Sequence, residues 1–169
     1  MQPALFSSSK TLWSGRLSST PIGPVWAAVS TLGLARVYIG TPLATTGEGH
    51  APETLASALE QLREYFQRRR ERFDLPVDWG GLAPFNLLAL QAAAHIPYGQ
   101  VRTYAQLAEQ IGRPAAVRAV GGAMAANPLP IVVPCHRVIG SDGKLHGYAA
   151  PDGIQTKAYL LRLEGGLAV

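Results

Sequence analysis

Apolar positions between residues 12 and 39 come in short β-branched or aromatic runs cut by glycine and proline. Leu12–Leu17, Val25–Thr31 and Leu34–Ile39 read as strands, with Pro21-Ile22-Gly23-Pro24 and Leu32-Gly33 as the turns between them. A Gly/Thr/Pro-rich stretch from Gly40 to Ala51 predicts a loop, and Pro52 then opens a helix. In that helix Leu55, Leu59, Leu62, Tyr65 and Phe66 recur every three to four residues, as one buried face requires. Arg68–Arg72 follows as its cation-rich end, which suits the helix dipole and reads more simply as a solvated terminus than as a nucleic-acid patch.

Asp74–Gly81 is a Pro/Gly/Trp-bearing connector, so we expect a domain of residues 1–80 and a second of 81–169. Beyond the connector the chain turns helical, with helices expected at Ala83–His95, Thr103–Gly112, Ala115–Asn127 and Ile154–Glu164. The apolar run Pro130-Ile-Val-Val-Pro134 separates the last two. Thr103-Tyr-Ala-Gln106 is a capping box, with Leu107, Ala108 and Ile111 as the core stripe behind it. Gly112-Arg113-Pro114 stops that helix and the next starts at once, a spacing that fits a helix-turn-helix and equally a plain helical hairpin. The second helix carries one charge, Arg118, and two interior glycines that each cost about 1 kcal/mol relative to alanine. Such a surface suits close packing on a neighbouring helix, or a fit into a minor groove with one inserted arginine.

Composition narrows the choices. In 169 residues, 47% are hydrophobic and 15% charged, which is globular usage. The balance is +4, and twelve of the 15 bases are arginines, so a nucleic-acid partner is admissible. Residues 1–84 carry net +1 and residues 85–169 net +3. Apart from Ser7–Ser9 there is no low-complexity segment. No apolar stretch is long enough to span a membrane and the first residues do not resemble a secretory signal, so a cytoplasmic protein is expected.

The single cysteine, Cys135, excludes an internal disulfide, and the four histidines show no ligand spacing, so no metal is expected. A nucleophilic thiol needs a base or a positive field, and His136 and Arg137 adjoin Cys135. Neighbouring strand residues point to opposite faces, so His136 would reach the sulfur only through a turn or a bridging water. Alone, the Cys-His pair fits a buried structural cysteine better. Glu164, at the end of the last helix, opposes the dipole, which makes sense if it faces a histidine and sets its tautomer.

Pro134-Cys-His-Arg-Val138, preceded by Arg118-Ala-Val-Gly-Gly-Ala and Ala126-Asn-Pro128, resembles the active-site region of the O6-alkylguanine-DNA alkyltransferases. Ile96-Pro-Tyr-Gly99 and Thr103-Tyr104 resemble the same family's approach to its helix-turn-helix. The likeness is dense over Phe85–Gly166 and looser over residues 11–80. It implies an α+β protein: a small N-terminal antiparallel sheet with a helix, ribonuclease H-like, and a mostly helical winged-helix-like C-terminal domain. The implied activity is direct-reversal repair, an irreversible single-turnover transfer from O6-alkylguanine, and O4-alkylthymine, to Cys135 after minor-groove base flipping.

The resemblance further implies that His136 acts as base through water, oriented by Glu164. Tyr104 contacts the flipped base and donates a proton, Arg118 fills the gap, and Asn127 holds the turn before Cys135. Thr103, Ala116, Val117 and Gly121 would line the DNA face. Val138, Tyr148, Ala149 and Ala150 would line the substrate pocket, with the carbonyls of Cys135 and Val138 accepting from the guanine amine. No cofactor is implied, and the partner is double-stranded DNA bound by a monomer, with cooperativity left open.

Phe85-Asn86-Leu-Leu-Ala89-Leu90 departs from the family's Phe-Gln-x-x-Val-Trp, and Ala149-Ala150-Pro151 stands where a serine or glycines are usual. Pro151 offers no N–H and Ala149 no hydroxyl. The alternatives are an alkyltransferase-like damage-binding protein, whose relatives lack the acceptor cysteine, and a transcriptional regulator, which a helix nearly free of side chains serves poorly.

Overall fold

The computed structural model describes residues 11–40 and 46–166. Ser7–Ser9 and positions 41–45 of the expected loop lie outside the described residues. Strands β1 (Trp13–Leu17), β2 (Val25–Ser30) and β3 (Gly33–Ile39) form an antiparallel sheet in that order. Leu17 pairs with Val25, and Val25 with Ile39, so one face aligns its apolar side chains. Val25, Ala27, Val29, Val37 and Ile39 are buried there with Leu55, Ala58, Leu62 and Tyr65 of α1 (Glu53–Phe66).

Two expectations change in this half. The helix ends at Phe66, with Gln67 as its C-cap and Arg63 the base of its last turn, so Arg68–Arg72 lies beyond it. Arg68 turns to φ 57 and Arg70 pairs with Glu64 at 2.6 Å. The connector is also more than a spacer. Leu34 donates its N–H to Pro76 O at 2.8 Å and accepts from Asp78 N at 2.9 Å, a one-bridge parallel pairing at the sheet's margin. Periodicity cannot show this, because a single bridge has no period.

The remaining chain forms α2 (Pro84–Ala94), β4 (Arg102–Thr103), α3 (Tyr104–Gln110), α4 (Val117–Ala125), β5 (Val138–Ile139) and α5 (Ile154–Leu163). The helix expected at Ala115–Asn127 is shorter: Pro114–Ala116 is a tight 3-10 turn and α4 stops at Ala125. β4 and β5 pair in parallel, Arg102 with Val138 and Thr103 with Ile139, a ladder too short to read from sequence. It brings the start of the helix-turn-helix beside the residues that follow Cys135. Leu90, Ala93, Leu107, Ala108, Val120, Ala123, Leu160 and Leu161 build the core of this half. No helix among the described residues is long and apolar enough to cross a membrane.

The capping box is complete: Thr103 Oγ1 accepts from Gln106 N at 3.1 Å, and Gln106 Oε1 accepts from Thr103 N at 2.8 Å. Thr103→Ala is expected to lower stability by about 1 kcal/mol, read from the urea midpoint.

Candidate active site

Cys135 opens a 3-10 turn, Cys135–Arg137, directly before β5. The turn removes the strand-alternation objection, because residues 135–137 do not alternate across a sheet. Cys135 lies at a cavity of about 560 Å³ that Tyr104, Val117, Arg118, Gly121, Tyr148 and Ala149 also line. Met124, Ala125, His146 and Gly147 complete that lining.

Asn127 holds the segment that delivers the thiol. Its Nδ2 donates to Val133 O at 2.8 Å and to Cys135 Sγ at 3.0 Å, while its Oδ1 accepts from Leu129 N at 2.9 Å. Within that loop the buried Ile131 sits at φ 76, a region costly for a β-branched residue, so the loop stores strain beside the site. Burial pushes the Cys135 thiol up; the Asn127 hydrogen bond and the Lys157 charge oppose this without overcoming it. The sulfur therefore rests as a thiol at neutral pH and needs a base.

Behind the sulfur stands a buried carboxylate. Glu164 Oε1 accepts from Tyr65 Oη at 2.7 Å, His136 Nε2 at 2.7 Å and Arg137 Nη2 at 2.9 Å; Oε2 accepts from Arg137 Nε at 2.8 Å. Gly99 N reaches Oε2 at 3.4 Å. Gly99 has φ 73, and a β-carbon there would lie 3.0 Å from Glu164 O, so glycine is required for this approach. Burial pushes the Glu164 carboxyl up, but the hydrogen bonds and charges of His136 and Arg137 outweigh it and hold the group at about 2.

An ionised Glu164 accepts only, so His136 Nε2 carries the hydrogen and Nδ1 keeps its lone pair. That Nδ1 is buried with no hydrogen-bond partner among the described residues. Burial pushes His136 below its ordinary value, more than Glu164 restores, so the ring is neutral and able to accept a proton. The Tyr148 ring meets it edge-on, with centroids 6.4 Å apart.

Lys157 is the residue that sequence reasoning missed. It is buried, its Nζ donates to Val138 O at 2.6 Å and His146 O at 3.1 Å, and it lies 3.5 Å from Tyr104 Oη. Burial pulls it down to about 8, against the pull of a Cys135 thiolate. Its signal was present: Lys157 shares a helical face with the buried Leu160 and Leu161. Tyr65 and Arg137 were missed as Glu164 partners. Tyr65 reads as an ordinary core position, and only folding sets it against a residue 99 positions away.

The expected site residues separate into layers. Tyr104, Arg118, Val117, Gly121, Cys135, Tyr148 and Ala149 meet at the cavity. His136, Glu164 and Asn127 are buried behind it. Thr103 caps α3, Ala116 ends the 3-10 turn before α4, and Val138, fully buried, already lends its carbonyl to Lys157. Ala150 is not on the cavity wall; its N–H bonds back to Tyr148 O at 2.9 Å. On α4, β-carbons at Gly121 and Gly122 would meet nothing within 4 Å, so these glycines serve no close packing against another element among the described residues. Among the described residues no cluster of three metal-ligating side chains occurs.

Comparison with known proteins gives a consistent picture. The family described as 6-O-methylguanine DNA methyltransferase, DNA binding domain, matches residues 84–166, and the ribonuclease-like domain of the same name matches residues 16–79. The methylated-DNA–protein-cysteine methyltransferase of Mycolicibacterium paratuberculosis is 48% identical over 119 residues, 70% of each chain. The constitutive enzyme of that name from Bacillus subtilis is 50% identical over 110 residues, 65% of this chain and 66% of its own. The crystal structure of Mycobacterium tuberculosis OGT in complex with DNA superposes with a TM-score of 0.79 at 39% identity, covering 90% of this chain and 92% of that one.

Because Glu164 ionises more readily folded than unfolded, its stabilisation is complete above its ordinary 4.5 and is lost as pH falls towards 2. Glu164→Gln is expected to cost about 3 kcal/mol or more at pH 7, since Arg137 loses its buried counter-charge. It should also flatten the acid dependence below pH 4.5. Urea unfolding at several pH values checks both.

Proposed function

The chain belongs to the 6-O-methylguanine DNA methyltransferase family, and on that premise we propose that it repairs DNA by moving the alkyl group of O6-alkylguanine onto Cys135. The observation that carries the assignment to Cys135 is the thiol's place at the cavity, held by Asn127, with the neutral His136 ring and the ionised Glu164 buried behind it.

In the proposed reaction the thiol proton passes through water to His136 Nδ1, and the resulting imidazolium is stabilised by Glu164. The sulfur attacks the alkyl carbon in line, forming the C–S bond as the C–O6 bond breaks. Tyr104 gives a proton to the departing guanine, and Lys157, 3.5 Å from its hydroxyl, restores it. Burial and the thiolate both push the Tyr104 phenol up, which keeps it protonated until the base leaves. A thioether has no good leaving group, so each molecule acts once, and the chemistry draws on no cofactor.

An O6 atom inside a duplex is out of reach, so the nucleotide must be extruded at a cost of a few kcal/mol. The exposed Arg118 fills the gap and Tyr104 meets the flipped base. The outward face of α4, where Gly121 and Gly122 have open space beside them, supports an approach through the minor groove. The protein works as a monomer, and its small positive excess means few phosphate contacts and a shallow salt dependence.

Incubation with duplex DNA carrying O6-methylguanine is expected to leave one methyl group on the peptide containing Cys135, seen by mass spectrometry. An unmodified peptide after complete mixing would reject the reading. Arg118→Ala is expected to slow repair of duplex DNA about tenfold or more while iodoacetamide still labels Cys135 at the normal rate. Equal repair rates would remove Arg118 from the flipping step.

A further inference from the structure

The segment His146–Ala149 forms one wall of the alkyl cavity, and two residues later Pro151 meets the N-terminal sheet. A β-carbon on Gly40 would lie 2.5 Å from Pro151 Cγ, so the proline ring rests against the bare α-carbon at the end of β3. Gly40 has φ 88 and its N–H is tied to Pro24 O at 2.7 Å, which makes it a firm seat. The same strand also bonds the segment that leads to the thiol: Val37 N donates to Pro128 O at 2.9 Å, next to the Asn127 that holds Cys135.

The wall is also held at other points, and at its start His146 Nε2 lies 3.5 Å from Asp142 Oδ1. Lys157 holds His146 O and the Tyr148 ring abuts His136, while Ala150 N–Tyr148 O and Gly153 N–Ala150 O bonds make the segment a chain of tight turns. A large O6 substituent pressing on Ala149 therefore moves a short, stiff arc whose outer end is Pro151.

Resting on the alkyl-transfer reading, we propose that Pro151 and Gly40 are specificity-determining positioning residues, through which the N-terminal sheet limits the size of the alkyl group accepted. Neither residue touches the reacting atoms. Pro151 fixes its own φ and supplies the ring that bears on the sheet, and Gly40 leaves the space that the ring occupies.

The test compares rates of transfer to Cys135 from duplexes carrying O6-methylguanine or O6-benzylguanine. In Pro151→Gly the preference for methyl over benzyl is expected to fall by about threefold or more, with the methyl rate within about twofold of the unaltered protein. Gly40→Ala, which drives a β-carbon into the ring from another element, is expected to change the same ratio. A general loss of stability would slow both substrates alike. An unchanged ratio in folded Pro151→Gly overturns the proposal. If that variant does not fold, Pro151→Ala, which removes the ring with less backbone freedom, decides by the same criterion. Absence of both adducts in the unaltered protein would instead reject the alkyl-transfer reading, and this proposal with it.

Discussion

The buried Glu164 carboxylate is the interaction on which the rest depends. It accepts from Tyr65 on α1, from His136 and Arg137 in the turn after the thiol, and from Gly99 before β4. An isolated charge at that depth would be prohibitively unfavourable. Arg137 balances it at 2.8 Å and is itself anchored by Ile96 O at 2.6 Å and the Tyr98 ring at 5.7 Å. One carboxylate thus joins the two halves of the chain and selects the tautomer of the proposed base.

The same burial governs the groups proposed to react. Desolvation pushes the Cys135 thiol up and His136 and Lys157 down, so each is held closer to neutrality than in water. A neutral thiol beside a neutral imidazole is a resting state suited to the proposed proton transfer. Asn127 and Lys157 supply the polarity that favours the thiolate once it forms. Fixed dipoles and a held cation do this without the reorganisation that bulk water would require.

Much of the frame was legible in advance because it rests on local periodicity. The three strands of the N-terminal sheet, α2 and α5 lie within about two residues of their expected places, α1 starts beside Pro52 as expected, and the capping box at Thr103 is complete. What escaped was short or non-local: the β4–β5 ladder of two pairs, the Leu34–Val77 bridge and the 3-10 turns flanking α4 and opening at Cys135. An element of two or three residues has no period to detect. Arg68–Arg72 was misplaced because a cation run fits a helix end and the turn beyond it equally well.

The chemical content of the site divides in the same way. The lone cysteine in Pro-Cys-His-Arg, the arginine on a helix of small residues and the carboxylate opposing its helix dipole are properties of the linear chain, because each is a residue type in a local pattern. Local pattern therefore suffices to name the candidate reagent, its neighbours and most of the elements that carry them. Which nitrogen of His136 stays free, why Lys157 is drawn to about 8, that Tyr65 and Arg137 close the shell of Glu164, and that Pro151 leans on Gly40 were decided only by tertiary structure. Those facts depend on desolvation and on contacts between residues far apart in the chain, and neither quantity exists until the chain has folded.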